Sequence, residues 1–205
     1  MAAAPKGGSM YQLEHRLKSP QSLARKLAGR VDKEGQAPEV EDLLRYTYLT
    51  EAARFVELAE SVTQELQAKG WQLTRVRNSY VERSRYKGLH LDWRTPGGQR
   101  VEVQVHTPRS VAVKESTTKL YETERDRRRS PQERDIARAE CVRLSASLAP
   151  PDGLADLNTL GECKVEVRGY GLGRVATPIA DAGPQDGRVT RPERQQNLRK
   201  DTMER

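Results

Sequence analysis

Arg100-Val101-Glu102-Val103-Gln104-Val105-His106-Thr107 alternates strictly between apolar and polar residues. Val101, Val103 and Val105 point to one face, and Glu102, Gln104 and His106 to the other. That is the period-two pattern of a strand with one dry and one wet face. A carboxylate, an amide and an imidazole in a row are either solvated surface or the floor of an active site. Just upstream, Gly88-Leu89-His90-Leu91-Asp92-Trp93-Arg94 alternates the same way, and Thr95-Pro96-Gly97-Gly98-Gln99 is a turn. The apolar faces of this hairpin coincide only if opposed residue numbers sum to an even value. A two-residue Gly97-Gly98 loop is thereby excluded. A three-residue loop pairs Arg94 with Glu102, Asp92 with Gln104 and His90 with His106. Other even sums slide the pairs by a step and keep the face. Six polar groups from two strands therefore share one surface, which is dense for bare solvated sheet.

Outward from the hairpin, residues 11–18 alternate and predict a short strand, with Leu13 and Leu17 on one face. Ser19-Pro20 reads as an N-cap and first helical residue, opening a helix to about Gly29. Residues 43–49 favour an inner strand with Asp42 at its mouth. Thr50 is expected to cap a helix to about Lys69, with Ala52, Phe55, Val56, Ala59, Val62 and Leu66 as its apolar stripe and Gly70 as its stop. Residues 71–81 predict a strand carrying Arg75 and Arg77. Residues 109–126 read as one helix, Ser130-Pro131 opens another to about Leu148, and Cys163 to Val167 alternates as a short strand. The pattern implies an α/β fold of the α+β type, a mixed sheet of about five strands flanked by helices.

The 205 residues suit one domain of ordinary size and a tail. Residues 1–10 read as a flexible leader, 11–148 as the folded domain and 149–205 as a C-terminal extension, largely irregular or disordered. The net charge of +7 favours anionic partners such as nucleotides or RNA, or serves solubility alone. Cys141 and Cys163 fit neither a zinc spacing nor a disulfide framework, so a reducing compartment is expected. No apolar run approaches the ~18 residues of a membrane-spanning helix, so no membrane partner is expected.

Four pieces line up in order: Arg16-x-Lys18-x-x-x-Ser22-x-x-Arg25-Lys26, Asp42-Leu43, Tyr86-x-Gly88-Leu89-His90, and the stretch from Val101 to Thr107. Together they resemble the synthetase domain of the RelA/SpoT family, over residues 13–124. Those enzymes move a pyrophosphate group from ATP to the 3′-hydroxyl of an acceptor nucleotide. The resemblance implies a nucleotidyltransferase-like fold. It also implies that Arg16, Lys18, Arg25 and Lys26 hold the ATP phosphates, with Ser22 hydrogen-bonding one of them. Asp42 would bind Mg²⁺, Glu102 would orient or deprotonate the attacking hydroxyl and touch the metal, and Tyr86 would stack on the acceptor base. His90 and Gln104 would line the acceptor side. Each residue also has an ordinary reading on its own: Glu102 as a cross-strand ion pair with Arg94, Tyr86 as a rim aromatic, Asp42 as a turn residue. No Gly-rich phosphate loop is present, since Gly-Lys never occurs as a dipeptide.

The departures from the family pattern are as informative. No histidine precedes an aspartate, so the family's His-Asp hydrolase is missing. Asp42-Leu43-Leu44-Arg45-Tyr46-Thr47 replaces Asp-Leu-x-Gly-x-Arg, and Gln104-Val105-His106-Thr107 replaces Gln-x-Arg-Thr. Residues 106–122 look more like the toxic, single-domain small alarmone synthetase branch, some members of which make adenosine alarmones while others modify the tRNA 3′ end. The expectation is a Mg²⁺- and ATP-dependent pyrophosphotransferase acting on a purine nucleotide or on tRNA as a growth-inhibiting toxin in the cytoplasm, reached there by delivery as an effector. The alternative is a catalytically inactive, basic RNA-binding module on the same fold. The C-terminal segment leaves room for an antitoxin, immunity or carrier partner.

Overall fold

The hairpin anticipated from the sequence is present and sits mid-sheet. The computed structural model describes residues 7–27 and 43–170. Strand β1 spans Ser9–Tyr11, helix α1 Pro20–Leu27, β2 Leu44–Leu49, helix α2 Phe55–Ala68 and β3 Gln72–Asn78. They are followed by β4 Leu89–Arg94, β5 Arg100–His106, α3 Pro108–Ser116, α4 Thr118–Arg125, α5 Pro131–Ala146, β6 Thr159–Leu160 and β7 Cys163–Val167. The strands form one mixed sheet in the order β1-β2-β5-β4-β3-β7-β6, seven strands rather than about five. β2–β5 and β3–β7 pair in parallel, and the other neighbours are antiparallel.

The hairpin register keeps the anticipated face but slides by one step. Leu89 opposes Val105, His90 opposes Gln104 and Asp92 opposes Glu102. Five residues separate the two strands, and Thr95 and Gln99 close the turn around Pro96–Gly98: the Thr95 N–H donates to the Gln99 carbonyl at 2.9 Å, and its own carbonyl accepts from Gly98 N–H at 2.8 Å. Arg94 thus faces Arg100 and not Glu102, so the cross-strand ion pair expected between Arg94 and Glu102 does not form.

The dry face collects Tyr48, Leu89, Leu91, Trp93, Val101, Val103, Val105 and Val76 against Phe55, Leu58, Ala59 and Val62 of α2 in one core. Burying each of these large α2 side chains contributes about 1.5–3 kcal/mol. α2 ends as read: Gly70 takes φ +76°, a backbone a side chain rarely adopts, and Trp71 N–H closes onto the Leu66 carbonyl at 3.0 Å. Its start differs. A 3₁₀ turn over Ala52–Arg54 precedes it, and the Thr50 hydroxyl donates to the Gly7 carbonyl instead of capping the helix.

Three further expectations change. The strand expected at residues 11–18 lies instead at Ser9–Tyr11, reaching into the expected leader, because pairing with β2 orders Ser9 and Met10 while Gln12 turns to φ 47° and a 3₁₀ turn follows over Leu13–His15. The helix at 109–126 breaks at Thr117, whose hydroxyl donates back to the Val113 and Lys114 carbonyls. The sheet runs on past Leu148: β7 joins β3, and Leu154, Leu160 and Val165 are part of the core. Helices α3 and α5 start as their sequences dictate, each with a reciprocal capping box and a proline in the first turn, at Thr107/Ser110 and Ser130/Glu133.

Candidate active site

The wet face of β5 is not wet. Glu102 is 7 % exposed, Gln104 3 % and His106 0 %. Register carries the polar pattern across four strands: Arg45, Glu102, Asp92 and Arg75 lie in one row, and Thr47, Gln104, His90 and Arg77 in the next. Two carboxylates directly opposed across a strand pair repel. Here each is held by cations on its own side.

Glu102 receives two side-chain contacts. Arg45 Nε donates to one carboxylate oxygen at 2.8 Å, and His90 Nδ1 lies 2.9 Å from the other. Burial alone would raise this carboxyl, but the His90 hydrogen bond and then the Arg45 guanidinium outweigh it and hold it well below the usual carboxylate range. Burial pushes His90 down, toward the neutral ring. A neutral ring that donates from Nδ1 to Glu102 leaves Nε2 as an acceptor, and Nε2 is buried with no hydrogen-bond partner among the described residues. Asp92 is held by Arg75 at 2.7 Å and by Arg77 at 3.5 Å.

A second network lies beside the first. The Tyr86 hydroxyl donates to Gln104 Oε1 at 3.1 Å and sits 2.7 Å from His106 Nε2. Lys114 Nζ donates to the same Gln104 oxygen at 3.2 Å, and burial pulls its pKa down to about 8. His106 is pinned on its other side by Ser110 Oγ at 2.9 Å, and burial, then Lys114, hold it well below its ordinary value. Gly88 makes this packing possible: a Cβ there would stand 2.6 Å from the His106 ring.

These groups floor a cleft of about 640 Å³. Its walls include Arg16, Lys18, Ser19 and Ser22 from the α1 side, Arg85 and Tyr121 from the helical side, and Tyr170 after β7. The Ser19–Pro20 start is as read, with Ser19 Oγ accepting from Ser22 N–H at 3.3 Å. The structure thus brings together Glu102, His90, Gln104, Tyr86, Arg16, Lys18 and Ser22. Asp42 and the side chains of Arg25 and Lys26 lie outside the described residues. Arg45, Lys114 and Tyr170 are not among the site residues expected from the sequence, and Asp92 enters there only as one of the six polar groups on the hairpin face. The signal for Arg45 was its place between Leu44 and Tyr46, out of step with the apolar residues of its strand.

No family model matches the sequence, and no curated protein matches it. Solved structures do. The chain is similar to single-domain RelA/SpoT-like synthetases. Small alarmone synthetase 1 from Bacillus subtilis, solved with its product pppGpp, is 17 % identical over 70 % of this chain and 72 % of that one, with a TM-score of 0.47. A GTP pyrophosphokinase family protein from Streptococcus pneumoniae is 15 % identical over 76 % of each chain, with the same TM-score of 0.47. The type VI effector Tas1, solved with its immunity protein, is 23 % identical over 66 % of this chain and 82 % of that one, at 0.41. At these identities the likeness is one of fold and assigns no role to any residue.

Proposed function

We propose that the chain is an ATP-dependent pyrophosphotransferase that moves the β,γ-pyrophosphate of ATP to the 3′-hydroxyl of a purine nucleotide or of the tRNA 3′ end. The observation that carries this reading is an ionised, buried Glu102, bracketed by Arg45 and His90, at the floor of a cleft lined with cations. A binding surface alone has no need to bury a carboxylate among the groups that would attract phosphate.

The acceptor hydroxyl oxygen attacks the β-phosphorus and releases its proton to solvent, the bond from that phosphorus to the oxygen bridging the α-phosphate breaks, and AMP leaves with the bridging oxygen. Phosphoryl-type transfer depends mostly on positioning and on stabilising charge spread over the transferring oxygens. Arg16, Lys18, Arg45 and Lys114 supply that charge from the cleft walls and floor. Glu102, held as a carboxylate, orients the acceptor hydroxyl and accepts its hydrogen bond.

Among the described residues no group of three or more acidic, His or Cys side chains converges as a metal cage. Mg²⁺ is commonly held by one or two carboxylates together with substrate phosphates and water, and Glu102 on the cleft lining is one carboxylate of that kind. Glu102 keeps lone pairs beyond its two present contacts, and Asp42 is the second carboxylate of the proposal. When bound, the ion would neutralise phosphate charge.

We further propose that the product or modified tRNA arrests growth in the cytoplasm, and that an immunity, antitoxin or carrier protein neutralises or delivers the chain. Among the described residues no helix is long and apolar enough to cross a membrane. The test is a transfer assay with ATP labelled at the β-phosphate, offered AMP, ADP, ATP, GDP, GTP and total tRNA in turn with Mg²⁺. Label moving to any of these supports the reading and names the acceptor. Label moving to none, in protein that is folded, overturns it.

A further inference from the structure

We infer that Tyr170, brought to the cleft by β7, is the second aromatic wall of the acceptor pocket and helps set its preference for a purine base. The inference rests on the pyrophosphotransferase reading and extends it to a residue well beyond the 13–124 span that carries the sequence resemblance.

β7 lies parallel to β3, and the ladder continues past its end through the Arg168 N–H to the Asn78 carbonyl at 2.9 Å. Two residues on, the Tyr170 N–H donates to Ser84 Oγ at 3.0 Å and its carbonyl accepts from the Arg85 N–H at 3.2 Å. The Ser84 hydroxyl in turn donates to the Tyr86 carbonyl at 2.6 Å. The backbone of Tyr170 is thus fastened to the same loop that carries Tyr86.

Its ring lies 5.4 Å from that of Tyr86 at 80°, and 5.4 Å from that of His90 at 56°. The Arg77 guanidinium lies 5.9 Å from its centroid. A side chain standing in for a stacked base would lie parallel to Tyr86. An edge-on ring makes a corner instead. The cleft keeps its volume of about 640 Å³ with Tyr170 in place, within the range of about 300–1,000 Å³ usual for small-molecule sites. Beside both rings, His90 Nε2 is a buried acceptor with no partner among the described residues. Two aromatic walls and one acceptor suit a flat ring system that carries an N–H donor on its edge, a class to which the purine acceptors of the proposed reaction belong.

The experiment is equilibrium binding of AMP, ADP, GDP and GTP, with transfer kinetics alongside, for wild type, Tyr170→Ala, Tyr170→Phe and Ser84→Ala. An edge-to-face aromatic contact predicts about 2- to 10-fold weaker acceptor binding in Tyr170→Ala. The acceptor KM should rise in parallel while the KM for ATP stays put. Tyr170→Phe should bind as wild type, and Ser84→Ala should weaken binding by less than Tyr170→Ala. Wild type that binds and transfers, with Tyr170→Ala equal to it or tighter, overturns the role of Tyr170 and leaves the proposed activity standing. Tyr170-dependent purine binding without transfer overturns the activity and leaves the pocket assignment. Wild type that binds no nucleotide overturns both.

Discussion

Replacing Glu102 with glutamine removes one charge and almost no volume. The carboxylate accepts from Arg45 Nε at 2.8 Å and meets His90 Nδ1 at 2.9 Å. An amide offers one oxygen and one NH₂ in their place. Arginine cannot become an acceptor, so the amide oxygen must keep Arg45 and the NH₂ must face His90. The imidazole can answer by moving its proton from Nδ1 to Nε2. Both contacts then survive without the carboxylate's charge. Hydrogen bonds to charged groups contribute about 1.5–3 kcal/mol, and those lacking a charge about half as much. Arg45 is about one-third exposed, so its share is screened. The buried carboxylate's desolvation is relieved at the same time. The expected loss of stability is about 1 kcal/mol, or roughly 2–4 °C in melting temperature for a chain of this size. Activity should fall much further. A group that orients and accepts from the nucleophile is worth about 10²–10⁴-fold, and the proton now on His90 Nε2 would also oppose an incoming donor. Transfer of β-labelled phosphate and a thermal melt on the same sample test both halves. Folded Glu102→Gln protein with transfer within about 10-fold of wild type would refute the reasoning, given that range for such a group. The pH dependence gives a second check. The folded Glu102 pKa is depressed, so its stabilising effect is full above the unfolded value of about 4.3 and is lost as pH falls toward the folded one. Wild-type and Glu102→Gln stabilities should therefore converge in acid.

Lys114, with its pKa lowered to about 8, gives up its proton in the folded state before the unfolded chain does. Stability should rise between about pH 8 and pH 10.4 in wild type, and less in Lys114→Met, as denaturant melts across that window would show. Gly88→Ala would place a Cβ 2.6 Å from a His106 ring already fixed by Tyr86 and Ser110. A loss of about 1–3 kcal/mol in urea melts is expected, with reduced transfer. Phe55→Ala empties a fully buried site on α2 and should cost about 3–5 kcal/mol by the same measurement. Ser130→Ala removes the exposed cap of α5, distant in sequence from the cleft's β4–β5 floor, and should cost about 1 kcal/mol with transfer rate unchanged.

The strand face that holds Glu102, Gln104 and His90 was legible because alternation fixes the face of a half-buried strand. The pairing within it was off by one step because the placement of the turn, not alternation, sets the offset, and Thr95 and Gln99 close it around Gly97 rather than Gly98. That this face is buried was not legible, since polar residues read as solvated wherever a covering layer comes from elsewhere in the chain. Arg45 stayed hidden for a related reason. It reaches Glu102 through a parallel pairing, and no turn near either strand records that register. Tyr170 stands alone in a stretch with little periodicity, and only the fastening of its backbone to Ser84 and Arg85 gives it a position.

The two parallel seams of the sheet divide the order in which the chain can build itself. The β3–β4–β5 meander joins strands adjacent in sequence and sets His90 beside Glu102 through short loops. Arg45 arrives on β2, paired across an intervening helix and two strands, and Tyr170 follows β7, which pairs Val76 with Val165. Closing long loops adds little to equilibrium cost but delays contacts that span them. The β4–β5 part of the cleft floor is therefore expected to form before Arg45 and Tyr170 reach it. A chain caught with β7 undocked would keep Glu102 and His90 side by side yet lose Val165 from its core and Tyr170 from the cleft, so one seam of the sheet couples part of the core to one corner of the cleft.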